Sequence, residues 1–325
     1  MLDRPIDKEK KTGDGSLKAE HFTIKNKEGQ PLFVYKWLAE KVEARGIVQI
    51  AHGMAEHAGR YERFADLLTS HGYIVYANDH RGHGRTAGDL KNVGYLGRDG
   101  FSGMVLDMKY LSEHIRGENL DLPLILFGHS MGSFLAQAYI QKWGQDLDGL
   151  ILSGSNGQRG FDLKLGIIIA RIQNFLLGEK RPSRLLNRLS FGAYNASFKP
   201  VRTPFDWLST DTKEVDKYIK DPYCGGVFTT SFFLDFFLFL DQLYDREQAS
   251  RIAKDLPIYI ISGAMDPVGE EGKGVQRLID FYKELGLRCV SSRLYPGARH
   301  ELVNEVNRDE VMSDILNWLD SIGQT

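Results

Sequence analysis

Leu124-Ile125-Leu126-Phe127-Gly128-His129-Ser130-Met131-Gly132 decides how this chain is read. Four apolar residues form a short strand, and the pattern from 131 to about 142 predicts a helix. Between them stands G-x-S-x-G. A serine on a sharp strand-to-helix turn holds its hydroxyl out above a sheet. Glycines on either side, here Gly128 and Gly132, let helix and strand approach closely. The five-residue pattern is common by itself, and the strand–turn–helix setting makes it specific. Ser130 is therefore the candidate nucleophile, against the plain alternative of a glycine-rich turn that Ser130 merely caps.

Outward from this turn the chain alternates short apolar runs with helix-period segments. Strands are expected at 46–51, 73–77, 124–127, 149–152, 258–261 and 290–295, and a hairpin over 22–37 split by Asn26-Lys27-Glu28-Gly29. Several of these runs are apolar without alternation, as in strands covered on both faces. Phe101, Met104, Val105, Met108, Leu111 and Ile115 follow helical spacing, as do Val311, Ile315, Leu319 and Ile322. The fold class is α/β with a mainly parallel central sheet flanked by helices. Roughly 100 residues separate the strands at 149 and 258, far more than a βα connection holds. Residues 160–227 are read as an inserted, mostly helical cap. The core is then 17–159 with 228–325, and 1–16 is a flexible polar arm without an apolar leader.

The 325 residues are 42% hydrophobic and 26% charged, enough for a real core without disulfides or metals. A net charge of −2 excludes a basic nucleic-acid footprint. Cys224 and Cys289 cannot build a disulfide framework and read as reduced, so a cytoplasmic location is expected, with peripheral membrane contact open. No apolar run is long enough to span a bilayer.

A serine hydroxyl needs a base, and on a parallel sheet with this elbow the order is serine, acid, histidine. His300, in the loop after the last strand, fits the base. Asp266, at the end of the 258–261 strand, fits the acid that orients it. Asp241 and Asp245 are the rival acids, both in a helical stretch. Two backbone N–H groups must face the developing oxyanion. Met131 supplies one, and Met54, in the loop after 46–51, supplies the other. His52, His57, His80 and His83 show no H-E-x-x-H pattern, and the two cysteines lie far apart in the chain. A zinc site has little support from spacing, and no metal or cofactor is expected. Asp79-His80-Arg81-Gly82-His83-Gly84 is read as a hydrogen-bonded loop.

His52-Gly53-Met54-Ala55-Glu56-His57 with Arg60 and Tyr61 resembles the H-G-x-x-E-H-x-x-R-Y segment of monoacylglycerol lipases and related lysophospholipases. The 79–84 segment, the G-H-S-M-G elbow and Asp266-Pro267-Val268-Gly269 match the same family in the same order, over 22 to the C-terminus. The resemblance implies an α/β-hydrolase fold, a mobile cap and a cofactor-free triad at Ser130, Asp266 and His300, with Met54 and Met131 as oxyanion donors. Glu56 and Arg60 fall where that family arranges its polar pocket, so they would organise a glycerol-like head group; an ion pair that supports the loop is the equal alternative. Met54-Ala55 replaces a smaller pair, and Ser133 stands where glycine commonly follows the elbow.

The expectation is a serine hydrolase of lipid carboxylic esters, monoacylglycerols or lysophospholipids. Apolar residues over 165–177 and the phenylalanine cluster over 232–240 would line an acyl site or pack cap on core. The 165–177 stretch would also meet membranes or lipid aggregates transiently, and dimerisation through the cap would equally account for it. Three rivals stay open. A short-chain carboxylesterase would use the same triad. An aminopeptidase would need cap carboxylates such as Asp206, Asp211, Glu214 or Asp216 to anchor an amino terminus. A non-catalytic binding protein would normally lose a triad member, and here all three are present.

Overall fold

The computed structural model describes residues 19–39, 42–119 and 121–322, so the arm expected over 1–16 lies outside the described residues. The first expected hairpin forms as β1 (Glu20–Lys25) and β2 (Pro31–Trp37), paired antiparallel. Asn26 closes its turn by accepting the Gln30 amide on Oδ1 at 2.8 Å, and Gly29 supplies the positive φ of 75°. Then follow β3 (Gly46–Ala51), α1 (Glu62–Ser70), β4 (Tyr73–Asn78), α2 (Gly100–Glu118), β5 (Leu124–His129), α3 (Met131–Trp143) and β6 (Gly149–Ser153).

The sheet has eight strands. Its second half is β7 (Ile258–Gly263), α9 (Lys273–Glu284), β8 (Val290–Tyr295) and α10 (Arg308–Ile322), and the strand order is β1-β2-β4-β3-β5-β6-β7-β8. β1, β2 and β4 meet antiparallel, and every pair from β4–β3 onward is parallel. β3 to β7 are buried along their whole length, in keeping with their mainly apolar runs, and Gln49 within β3 is satisfied by Met108 O and Ser112. One face packs on α2, α3 and α9 through Met104, Leu135 and Leu278, the other on α1 and α10 through Phe64, Phe127 and Ile315. Each such fully buried side chain contributes about 1.5–3 kcal/mol.

The segment between β6 and β7 carries α4 (Phe161–Leu177), α5 (Arg184–Phe191), α6 (Thr212–Lys220), α7 (Thr230–Leu243) and the short α8 (Arg246–Ala249). α7 begins at Thr230 because Thr229 caps it, its hydroxyl accepting the Phe232 amide at 3.2 Å. Its phenylalanines divide between two tasks. Phe232 and Phe233 are fully buried in the core, while Phe236 and Leu240 face a cavity beside Ser130. On α4, Leu163, Ile167 and Ala170 are buried, whereas Ile168, Ile172, Phe175 and Leu176 are exposed. Among the described residues no helix is long and apolar enough to cross a membrane.

Candidate active site

β5 delivers Ser130 onto a strained turn. Its φ is 53° and ψ −120°, in the region L-residues rarely adopt. The turn is possible because helix and strand nearly touch. A Cβ on Gly132 would lie 2.0 Å from Ala51 O, and one on Gly128 2.6 Å from Gly132 O. Ser133, where glycine was the commoner expectation, is fully buried with Oγ 2.6 Å from Ser130 O, so its hydroxyl braces the turn.

β7 and β8 set the other two candidates. Asp266 closes the turn after β7, and its Oδ1 accepts the Val268 amide at 2.8 Å. Its Oδ2 lies 2.9 Å from His300 Nδ1, with both residues buried. Burial alone would lower the His300 pKa. The Asp266 carboxylate outweighs it, with help from Glu301 and Glu56, and holds the imidazole above its ordinary value. The Trp207 ring lies on the imidazole with centroids 5.0 Å apart. Asp241 lies in α7 and Asp245 caps α8 on its Gln248 amide, and neither meets His300.

Ser130 and His300 line one cavity of about 320 Å³ together with Gly53, Met54, Glu56 and Glu301. A second, of about 70 Å³, lies across Ser130 and Met54, walled by Met131, Phe134, Phe236 and Leu240. Met54 and Trp207 border both. Met131 N–H opens α3 and so has no acceptor within its helix. Gly53 N–H is spent on Glu56 Oε1 at 2.6 Å, and the next residue, Met54, borders the cavity with Ser130.

Glu56 and Arg60 are joined at 2.6 Å, and Arg60 also meets Glu301. Glu56 borders the cavity beside Glu301, and Arg60 stands behind them over the Tyr218 ring. The spacing of the chain had not singled out Glu301, although it adjoins His300, and it had not assigned Trp207 a place at the site. Of the histidines of the early loops, His52 is structural in arrangement. His52 Nδ1 lies 2.8 Å from Gly53 O and its Nε2 accepts the His80 amide at 2.9 Å, a neutral ring held by two bonds. Burial pushes His52 and His83 down to about 3. Asp79 ties the loop by accepting the Ala58 and Arg85 amides.

Two groups of contacts fasten the loops around the cavity to the segment before α7. Arg299 donates to Asp206 O and Ser209 O, Glu301 N–H to Leu208 O at 2.7 Å, and Thr210 N–H to the Glu305 carboxylate. On the other side, Tyr218 O–H and Gly225 N–H both donate to Ala55 O, at 2.9 and 3.0 Å. The carboxylates weighed as an amine anchor are engaged elsewhere: Asp206 with Thr203, Asp211 with Arg308, Glu214 with Arg63 and Asp216 with Arg202.

A family model described as serine aminopeptidase, S33 (Hydrolase_4) matches residues 42–307. The monoacylglycerol lipase of Mycolicibacterium smegmatis is 29% identical over 291 residues, 88% of this chain and 92% of that protein. The monoglyceride lipase of Mus musculus is 26% identical over 301 residues, 90% of this chain and 88% of that one. The crystal structure of a thermostable carboxyl esterase from Bacillus coagulans in complex with glycerol superposes with a TM-score of 0.87 at 29% identity, over 94% of this chain and 99% of that one. The chain belongs to the Hydrolase_4 family and is a hydrolase on the α/β-hydrolase fold, akin in sequence and architecture to monoacylglycerol lipases and a carboxyl esterase.

Proposed function

We propose that the protein cleaves carboxylic esters of lipids, monoacylglycerols or lysophospholipids, with Ser130, His300 and Asp266 as its triad. The observation that carries this reading is the buried His300–Asp266 pair, 2.9 Å between Nδ1 and Oδ2, on the wall of a cavity that also holds the strained Ser130. Asp266 fixes the ring so that Nε2 takes the Ser130 proton as Oγ attacks the ester carbonyl. The Met54 and Met131 amides receive the oxyanion. Collapse expels the alcohol, which leaves with the proton from His300. Water, deprotonated by His300, then splits the acyl-enzyme and releases the acid. Glu56, set by Arg60, accepts from the hydroxyls of a polar head group.

The insertion over 160–227 acts as the cap that shapes the acyl site. The exposed apolar face of α4 is the part that touches lipid aggregates. Relatives named as lipases and one named as an esterase support ester cleavage over peptide cleavage, as does the engagement of the four cap carboxylates with other partners. The test is a chain-length series of monoacylglycerols, lysophospholipids, short aryl esters and aminoacyl amides, with Ser130→Ala as control. Best turnover of long monoacyl substrates, lost in the variant, is the expected result. Turnover confined to short esters or to amides, or activity that survives Ser130→Ala, overturns it.

A further inference from the structure

The loop after β3 that carries Met54 ends on His57, at the seam with the segment that follows α6. There His57 Nε2 lies 2.9 Å from Asp221 Oδ2. The Cys224 sulfur completes a group whose three ligand atoms all lie within 4.8 Å of one another. Asp221 and Cys224 come from a single turn. Cys224 N–H donates to Asp221 O at 3.1 Å and Tyr223 N–H to Asp221 Oδ1 at 2.9 Å, so the other carboxylate oxygen and the thiol stand on one side. This is how an i, i+3 turn presents two ligands in zinc knuckles. The third arrives from the opposite wall of the seam.

We propose that His57, Asp221 and Cys224 form a Zn²⁺ site. One imidazole nitrogen, one carboxylate oxygen and one sulfur are donors zinc takes at about 2.0–2.3 Å, whereas Mg²⁺ and Ca²⁺ require oxygen sets. Bonds of that length draw the three atoms to about 3–4 Å of one another, a small inward swing for the Cys224 side chain. Three protein ligands leave a fourth position for water. The His57 and Asp221 side chains keep 15% and 30% of their surface exposed, so an ion reaches them from solvent. Asp221 brings one carboxylate to the group itself, while Glu56 and Glu301 are paired with Arg60 behind it. Each ion bound by the Cys224 thiol forms one Zn–S bond as the S–H proton leaves to solvent. The ion would bridge the loop holding Met54 to the turn at 221–225, beside the Gly225 N–H bond to Ala55 O.

Spacing in the chain concealed this group, because His57 meets the 221–224 turn only through the tertiary fold. The test is a Co²⁺ titration of the full chain, followed by absorption. Expected are tetrahedral d–d bands and a thiolate charge-transfer band that saturate at one equivalent and vanish when Zn²⁺ is added. Cys224→Ser abolishes the charge-transfer band and Cys289→Ser retains it, the fold of each being checked by circular dichroism. Asp221→Asn, which can keep the contact with His57, weakens binding by about tenfold or more. Absence of the band in the unaltered protein, or its survival in Cys224→Ser, overturns the site. If Cys224→Ser does not fold, His57→Asn is decisive in the same way, since binding that it leaves undiminished refutes the ligand set.

Discussion

Arg60 grips Glu301 at two points, Nη1 to Oε1 at 2.8 Å and Nη2 to Oε2 at 2.7 Å, and the same guanidinium holds Glu56 at 2.6 Å. Two carboxylates against one cation leave a net negative charge beside His300. Both carboxylates border the cavity, so the pair links the loop after β3 to the residue that follows the candidate base.

The first consequence is a pH profile. Asp266, Glu301 and Glu56 outweigh burial and raise His300 above its ordinary 6.5. A base must be neutral to accept the Ser130 proton, so kcat/KM for a soluble aryl ester should rise as pH passes upward through that raised value. Glu301→Gln removes one charge and should move the rising limb to lower pH. The linked stability has the opposite sense. A raised histidine adds stability that is full below its unfolded pKa and is lost as pH rises through the folded one, and the variant should lose part of it. A limb that stays in place on Glu301→Gln would deny the carboxylate any hold on His300.

Met54→Ala keeps the backbone amide but trims the side chain of a residue that borders both cavities. Preference among alcohol and acyl groups should shift, with kcat on the best substrate within about tenfold of the parent. Loss of an oxyanion donor, by contrast, costs about 10²–10³ in kcat, and Ser130→Ala about 10⁴ or more. Steady-state kinetics on a matrix of esters distinguishes these. Unchanged selectivity would show that Met54 does not shape the site.

Gly132→Ala places a Cβ 2.0 Å from Ala51 O and 2.6 Å from His52 O, both backbone atoms that cannot yield. Its destabilisation should exceed about 4 kcal/mol, the extreme of single substitutions, and thermal or urea unfolding measures it. Gly117→Ala, in α2 with open space around the added methyl, should instead gain about 0.5–1 kcal/mol. Equal effects at the two positions would contradict the close contact at the elbow.

Phe175→Lys on the exposed face of α4 should leave stability within about 0.5 kcal/mol of the parent, since the side chain is 88% exposed. Hydrolysis of a dispersed long-chain ester should fall while that of a soluble short ester stays constant. If both hold steady, α4 has no part in meeting lipid.

Much of this was legible in the residues, for physical reasons. Unbroken apolar runs mark strands covered on both faces, and all the expected strands of the sheet form. Most run on by one or two residues, as Ser153 and Gly263 do, because sheet pairing continues past the last apolar side chain. α1 and α9 were not singled out, although α9 turns Val275, Leu278 and Tyr282 inward. The elbow was legible because Gly128 and Gly132 are required sterically. Glu301 and Cys224 were not, since each takes its meaning from partners on other loops. The phenylalanines of α7 could not be apportioned from sequence, because burial against Phe101 and exposure to a cavity look alike in an apolar run.

The bonds that fasten the loops at 53–57 and 298–305 to the insertion all end within 206–225, and among the described residues none ends on α4 or α5. α4 and α5 are thus held by other contacts than the loops around Ser130. The stretch 161–191 is tied instead to the start of α7, through Thr230 Oγ1 to Gly178 O and Ser183 N–H to Phe228 O. Chimeras swapped at those borders should keep the host's pH profile on a soluble ester, because the Arg60 contacts with Glu56 and Glu301 lie outside the exchanged stretch.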